Sequence, residues 1–448
     1  MPQRTAPAPE RPAVTPAREL GVREAAFSKE PNPIVRFFKI LGPGVIVGAS
    51  DDDPSGIGTY AVAGASLGYS TLWTALVTLP MMAAVQYICA KIGLVTGKGL
   101  GTLLRQHYPS YVVFPIVIAL LVANTINAGA DIGAIAAAVN LLVPVKAVAL
   151  IVPIAGLILA LQIWGSYKLI AAVFKWLALA LFAYIGAAIF AHPNALEVLR
   201  GTFVPHIQWN AAYLTTLVAI LGTTISPYMF FWQATQEVEE DIAAGRTFQW
   251  QRKGTTDAEL TYAAWDINVG MLFSNVVAYF IILATAATLF KAGQTHIATA
   301  ADAARALVPF AGKGAAVLLA LGLIGAGFLA VPVLTASSAY ALGAAFGWKI
   351  GLSKDLGRAP QFYGIIVFST LVGIGLNFVG IGPITALYWT AVINGALAPV
   401  LLAVIMLVAN NRKVMGARKN GYTLNILGWA TTAAMGLAAV GMALTSLK

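Results

Sequence analysis

Charged residues, cysteine and histidine are all scarce in this chain. Only 10% of its 448 residues are charged and 59% are hydrophobic, whereas soluble domains carry about 25% charged residues. That balance excludes an ordinary soluble domain and predicts an all-α protein that crosses a membrane many times. The single cysteine, Cys89, excludes an intramolecular disulfide.

Motifs of enzymes are missing as well. The chain has no HExxH pair, no paired cysteines and no Walker-type Gly-Lys motif, and its four histidines fall in predicted loops or at segment ends. We therefore expect neither an enzyme nor a bound cofactor. The net charge of +10 could suggest nucleic acid, but a membrane protein collects Lys and Arg in its cytoplasmic loops, so no nucleic-acid partner is expected.

Eleven apolar segments are long enough to span a bilayer, which takes about 20 residues. Residues 1–32 are rich in Pro, Ala, Arg and Glu and predict a disordered cytoplasmic tail. Residues 33–448 predict one transmembrane domain. The segments are 37–66, 71–96, 111–141, 146–165, 168–191, 212–237, 262–290, 314–346, 362–380, 384–409 and 422–446.

The basic residues predict the orientation. Most of the 28 Lys and Arg residues fall in the N-terminal tail and in every second loop after it. That bias predicts a cytoplasmic N-terminus and an outside C-terminus in the cell membrane. The partner is then the lipid bilayer. The oligomeric state is left open, with a monomer as the expectation.

Three consecutive carboxylates interrupt segment one, at Asp51, Asp52 and Asp53. Each Asp at the centre of a spanning helix costs about 2.5–3.5 kcal/mol. Pro54 breaks a helix and Gly56 unwinds it at little steric cost. An unwound, carboxylate-bearing break is tolerated only where it lines a cavity in protein. The pattern predicts a cation site at Asp53 and its neighbours.

Segment six repeats this anomaly with the polar run Gly222–Gln233, which contains Pro227. Two interrupted segments five apart predict two inverted repeats, about 37–191 and 212–409, with 422–446 as an extra helix. The alternative is that both prolines merely kink their helices.

Segment three carries Asn124, Asn127 and Asp131 on one helical face. Such a stripe faces the bundle interior, where it either lines the ion pathway or hydrogen-bonds another helix. Asp131 lies late in the segment, so we expect it near the external mouth. Gln233 in segment six and Asn394 in segment ten are further candidates for the ion pathway.

Three motifs together resemble a known family. Leu41-Gly42-Pro43-Gly44 is followed by Asp53-Pro54-Ser55-Gly56, and Leu94–Lys98 and Asn411–Gly416 add two loop signatures. The chain resembles the natural resistance-associated macrophage protein (NRAMP) family of divalent metal transporters. The resemblance implies a LeuT-type fold of two inverted five-helix repeats plus an eleventh helix, with helices one and six broken.

The departures from the family pattern bear on the substrate. The family's first-helix Asn falls on Gly56, its metal-ligating Met on Ser226 and its His on Tyr228. A thioether favours transition metals, and its loss leaves hard oxygen donors and more room, which suit a partly hydrated Mg²⁺. The chain therefore resembles the NRAMP-related magnesium transporter branch.

That resemblance implies a set of site residues. Asp53 is the main metal ligand, Thr223 offers a carbonyl and a hydroxyl, and Ser226 and Gly56 offer oxygens or water-bridged contacts. The ion, Mg²⁺ or secondarily Mn²⁺, is the transported substrate. Asp51 and Asp52 steer cations or cap the half-helix, and Tyr228 and Asn127 are second-shell candidates.

Proton coupling is not expected, because the family's acidic positions on helix three fall on Asn127 and Ala130 and no histidine lies at mid-membrane. A membrane potential of about 100 mV, negative inside, favours uptake of a divalent cation by about 4.6 kcal/mol. One alternative is a proton-coupled Mn²⁺ or Fe²⁺ importer. Others are a sodium-coupled organic solute symporter, a non-transporting membrane receptor or an intramembrane enzyme.

Overall fold

The computed structural model describes residues 43–165, 176–177 and 179–446. The predicted tail 1–32, the start of segment one and the start of segment five, with Lys168 and Lys175, lie outside the described residues. The described part is helical throughout, with no strand.

Each predicted segment overlaps a helix of the described residues. The helices are α1a (Pro43–Asp51), α1b (Pro54–Leu67), α2 (Trp73–Thr96), α3 (Ser110–Leu142), α4 (Ala147–Ile163), α5 (Ala183–Phe190), α6a (Ala211–Thr224), α6b (Pro227–Ala243), α7 (Asp257–Thr285), α8 (Ala315–Phe346), α9 (Pro360–Leu376), α10 (Pro383–Asn410) and α11 (Tyr422–Ser446). A 3₁₀ turn at Leu179–Phe182 leads into α5, and α7 continues into a π-turn at Ala286–Phe290. Short helices in loops, such as Leu100–His107 and Ala195–Phe203, were not predicted.

Length and composition indicate a multi-pass membrane protein. Seven stretches among the described residues are long and apolar enough to cross a membrane, and Ala147–Ile163, Leu179–Phe190 and Pro360–Leu376 are shorter apolar helices. The first span is divided between α1a and α1b.

Both predicted breaks are present, each immediately before a proline. Asp53 is the N-cap of α1b with Pro54 as its first residue, and Ser226 is the N-cap of α6b with Pro227 as its first residue. Proline is tolerated at the first position of a helix because its missing N–H has no intrahelical partner there. Each proline therefore starts a new half-helix instead of kinking a continuous one.

Small residues allow the broken helices to pack closely on their neighbours. A Cβ atom on Gly48 of α1a would lie 2.2 Å from the Gly270 carbonyl oxygen of α7, and one on Gly222 of α6a would lie 2.2 Å from the Gly395 nitrogen of α10. These backbones are in direct contact, as in other helix pairs within membranes. The contacts fix both breaks in the middle of the bundle.

Candidate functional site

Asp53 lies at the start of α1b, where its carboxylate caps the half-helix. Oδ1 accepts hydrogen bonds from the Gly56 backbone N–H and from the Ser55 hydroxyl, both at 2.7 Å. An N-terminal helix end favours a negative charge through its free N–H groups and its dipole. The local sequence Asp-Pro-Ser-Gly thus holds one carboxylate oxygen in place by itself.

The second oxygen of Asp53 faces two other helices. Asn127 of α3 donates from Nδ2 to Oδ2 at 3.2 Å. The hydroxyl of Tyr228 on α6b lies 3.5 Å from the same oxygen and donates to the Ser50 carbonyl oxygen at 3.0 Å. Asp53 is 1% exposed, so neutral donors from three helices surround one buried carboxylate.

The break in helix six contributes oxygen atoms on the other side. The Ser226 hydroxyl donates to the carbonyl oxygens of Gly222 at 2.9 Å and Thr223 at 2.7 Å. The Thr223 hydroxyl lies 3.5 Å from that of Ser55. The four residues predicted to hold the ion, Asp53, Gly56, Thr223 and Ser226, therefore lie at two breaks that meet in the structure.

The space expected from the loss of larger side chains is closed in this conformation. A Cβ on Gly56 would lie 3.2 Å from the Thr223 hydroxyl oxygen and 3.3 Å from the Asp51 carbonyl oxygen. Thr223 and Ser226 are each 1% exposed. Neighbouring atoms of the same chain fill the volume that the sequence suggested was empty, because protein interiors pack densely. A partly hydrated ion would fit between the two breaks only if they moved apart.

Asp51 and Asp52 face α7 and share one partner there. The Ser274 hydroxyl donates to Asp51 Oδ2 and lies 3.2 Å from Asp52 Oδ1. Both residues are buried, and Asp51 Oδ1 and Asp52 Oδ2 have no hydrogen-bond partner. Ser274 was not predicted as a site residue. Its only sequence signal is the polar pair Ser274-Asn275 within the otherwise apolar centre of α7.

The prediction that Asp131 lies near the external mouth is wrong. Asp131 is fully buried, and its carboxylate interacts with the backbone N–H of Ser55 and with the charge of Asp53. Neither oxygen makes a hydrogen bond of good geometry. The helix α3 has 33 residues, more than the roughly 20 that span a bilayer, so position along the chain is a poor measure of depth.

The remaining candidates make no hydrogen bond to Asp53. Gln233 donates from Nε2 to Glu237 Oε1 at 2.8 Å, one turn along α6b. Asn394 of α10 is fully buried and neither of its polar atoms has a hydrogen-bond partner. Asn124 donates to the Leu334 carbonyl and the Ser338 hydroxyl of α8. This contact matches the alternative that the polar stripe of segment three hydrogen-bonds another helix.

The donor set at the two breaks consists of carboxylate, hydroxyl and carbonyl oxygens with one amide. Among the described residues, no group of three or more His, Cys, Asp and Glu side chains forms a cage for a metal ion. Hard oxygen donors of this kind suit Mg²⁺, Ca²⁺ or Mn²⁺ in preference to softer metals. The arrangement can hold a cation without a sulfur or imidazole ligand.

Solved structures share this architecture. A mutant of the manganese transporter from Eremococcus coleocola matches with a TM-score of 0.70 at 16% identity, over 92% of this chain and 88% of that one. The same transporter in complex with an aromatic bis-isothiourea substituted compound matches with a TM-score of 0.69 at 17% identity, over 93% and 89% of the two chains. Mhp1, a nucleobase-cation-symport-1 family transporter, matches in its closed conformation with a TM-score of 0.53 at 15% identity, over 91% and 93%.

These likenesses show a helical fold with the LeuT-type architecture, and they confirm the predicted fold class. The model of the natural resistance-associated macrophage protein-like (Nramp) family matches residues 44–445, so the chain belongs to that family. The family and the matched structures are transporters, not enzymes.

Proposed function

We propose that this chain takes up Mg²⁺, and secondarily Mn²⁺, across the cell membrane by alternating access without proton coupling. The observation that carries the proposal is the buried Asp53 carboxylate at the meeting point of two helix breaks. Its surroundings offer oxygen donors, and Ser226 and Tyr228 stand where the family pattern has Met and His.

Asp53 is the main ligand in this proposal. Its Oδ2 accepts a hydrogen bond from Asn127 and lies 3.5 Å from the Tyr228 hydroxyl. Both groups are neutral, so a cation can approach Oδ2 without breaking an ion pair. The carbonyl oxygen of Thr223, the hydroxyl of Ser226 and the backbone at Gly56 complete the site directly or through water. Mg²⁺ loses its water reluctantly and is usually held by one or two carboxylates.

The closed arrangement corresponds to an occluded state. Asp53 is buried from both sides, so an ion reaches it only when α1a and α6b, or α1b and α6a, move away from their neighbours. Such movement of one group of helices against another is the usual basis of alternating access around a central site. A cytoplasmic N-terminus, a monomeric state and the repeat boundaries near 37–191 and 212–409 are part of this proposal.

The membrane potential is a sufficient driving force. About 100 mV, negative inside, favours the inward movement of a divalent cation by about 4.6 kcal/mol. A sodium-coupled symporter of organic anions fits less well, because Asp51, Asp52 and Asp53 would repel a substrate carboxylate.

Uptake into proteoliposomes tests the proposal. Mg²⁺-sensitive and pH-sensitive dyes are followed together in wild type, in Asp53→Asn and in the control Asp355→Asn, whose carboxylate is 84% exposed in an inner loop. We expect uptake that increases with an inside-negative potential, requires Asp53 and leaves pH unchanged. Uptake of Mn²⁺ but not Mg²⁺, with proton movement, would instead establish the proton-coupled importer.

A further inference from the structure

Asp131 of α3 is a buried carboxylate without a full set of partners. It is 0% exposed, and neither Oδ1 nor Oδ2 makes a hydrogen bond of good geometry. A carboxylate in such a position is strongly destabilising unless an opposite charge or several donors offset its loss of water. Asp131 must therefore either carry a proton or meet a cation that offsets its charge.

The surroundings of Asp131 are those of Asp53. Its carboxylate interacts with the backbone N–H of Ser55, at the N-terminus of α1b, and with the charge of Asp53. It also acts electrostatically on Tyr228, whose hydroxyl lies 3.5 Å from Asp53 Oδ2. Asn127, one helical turn before Asp131 on α3, donates to Asp53. Two independent carboxylates, one from α1 and one from α3, thus face the same end of α1b.

The charges favour a divalent cation at this place. Within the described residues, Asp53 and Asp131 interact with neutral groups and with other carboxylates, but with no Lys, Arg or His. The partial positive charge at a helix N-terminus offsets about half of one elementary charge. The two ionised carboxylates therefore leave an excess of about 1.5 negative charges. That excess attracts a divalent cation more strongly than a monovalent cation, because Coulomb attraction scales with the charge of the ion.

We propose that Asp131 is the second carboxylate of the ion site and binds the divalent ion together with Asp53, directly or through a water molecule of the ion. This inference rests on the proposed function and adds to it a ligand from a helix that does not break. It also accounts for an unpaired carboxylate buried in the apolar helix α3.

Isothermal titration of the purified protein with Mg²⁺, and with Mn²⁺, tests this assignment. The substitution Asp131→Asn keeps the shape and an acceptor oxygen for Ser55 but removes the charge. Asp355→Asn removes an exposed carboxylate and serves as the matched control. We expect Asp131→Asn to weaken binding of the divalent ion at least tenfold, whereas Asp355→Asn binds as wild type does.

The two hypotheses fail differently. If wild type binds neither ion, the proposed function fails, and the second ligand with it. If wild type binds an ion and Asp131→Asn binds it equally well, only the role of Asp131 is overturned. A lower melting temperature of Asp131→Asn with unchanged affinity would show that Asp131 only caps α1b.

Discussion

Asn127 of α3 donates a hydrogen bond from Nδ2 to Oδ2 of Asp53 at 3.2 Å. The two residues are 74 positions apart in the chain, and the bond ties an unbroken helix to the break in helix one. Together with the bonds that Oδ1 accepts from Ser55 and Gly56, it orients the carboxylate. The first prediction concerns this bond.

Replacement of Asn127 by Ala should raise the concentration of Mg²⁺ at half-maximal uptake by about tenfold. A hydrogen bond to a charged group contributes about 1.5–3 kcal/mol, and its loss leaves Oδ2 without its donor from α3, while Ser55 and Gly56 still hold Oδ1. Concentration-dependent uptake in proteoliposomes measures the effect. The control is Asn124→Ala, which removes a contact with α8. An unchanged half-maximal concentration in Asn127→Ala would show that Asn127 does not orient Asp53.

Replacement of Asp53 by Asn should reduce Mg²⁺ uptake by about a hundredfold or more. The change keeps the shape of the side chain but removes the charge that attracts the cation, and a charge-assisted contact in a buried site is worth several kcal/mol. Initial rates of dye-detected uptake measure it. Uptake within a few-fold of wild type would mean that the ion passes elsewhere.

Replacement of Ser226 by Met should shift selectivity from Mg²⁺ towards Mn²⁺ and Cd²⁺ by about tenfold or more. A thioether is a soft ligand that binds transition metals in preference to Mg²⁺. Competition of Mn²⁺ or Cd²⁺ against Mg²⁺ uptake measures the ratio. Ser226→Ala removes the hydroxyl without adding sulfur and separates the two effects. The same ratio in Ser226→Met and Ser226→Ala would exclude position 226 from the site.

Replacement of Gly222 by Ala should impair folding or transport strongly, because its Cβ would lie 2.1 Å from the Ala391 carbonyl oxygen of α10. Overpacking of this kind typically costs about 1–3 kcal/mol or more. Gly364→Ala on α9 is the control, since its Cβ meets nothing within 4 Å. Gly222→Ala should lower both the melting temperature in detergent and the rate of uptake. Gly364→Ala should change neither.

Arg246 joins the C-terminal end of α6b to the N-terminal end of α7. It lies 2.6 Å from Asp241 and 2.8 Å from Glu259. Burial lowers the pKa of the Arg246 guanidinium, but the two carboxylates outweigh this effect and raise the pKa above its usual value. When folding raises the pKa of a cationic group, the group stabilises the folded state, and this stabilisation is lost only as the pH rises through the raised pKa. Arg246 therefore stays charged across the physiological range, and titration of this group does not weaken the contact.

Replacement of Arg246 by Gln should let the ends of α6b and α7 that it joins move apart. A cysteine at Ala263, which is 3% exposed on α7, should then react faster with a maleimide, by about tenfold. The experiment uses a Cys89→Ala background, because Cys89 is the single native cysteine. Equal labelling rates with and without Arg246 would show that the ion pairs do not keep this end closed.

Local chemistry made part of the site predictable. Proline alone does not predict a break, since Pro80, Pro115 and Pro332 lie inside continuous helices. A polar run beside Pro54 and Pro227 predicts both breaks, and carboxylates within an apolar segment identify Asp53 as a candidate ligand. The contacts between Asp51 and Ser274, 223 residues apart, could not be predicted. They depend on how α1a is rotated against α7.

The amino-acid sequence by itself determined that this protein crosses the membrane, that helices one and six are interrupted, and that a carboxylate lies at the first interruption. Those features depend on hydrophobicity and on the backbone properties of proline and glycine, which act over a few residues. Only the tertiary structure decided that Asp131 faces Asp53 and that Thr223 closes on Gly56. Both depend on the tilt, rotation and close approach of separate helices, which packing over the whole bundle determines.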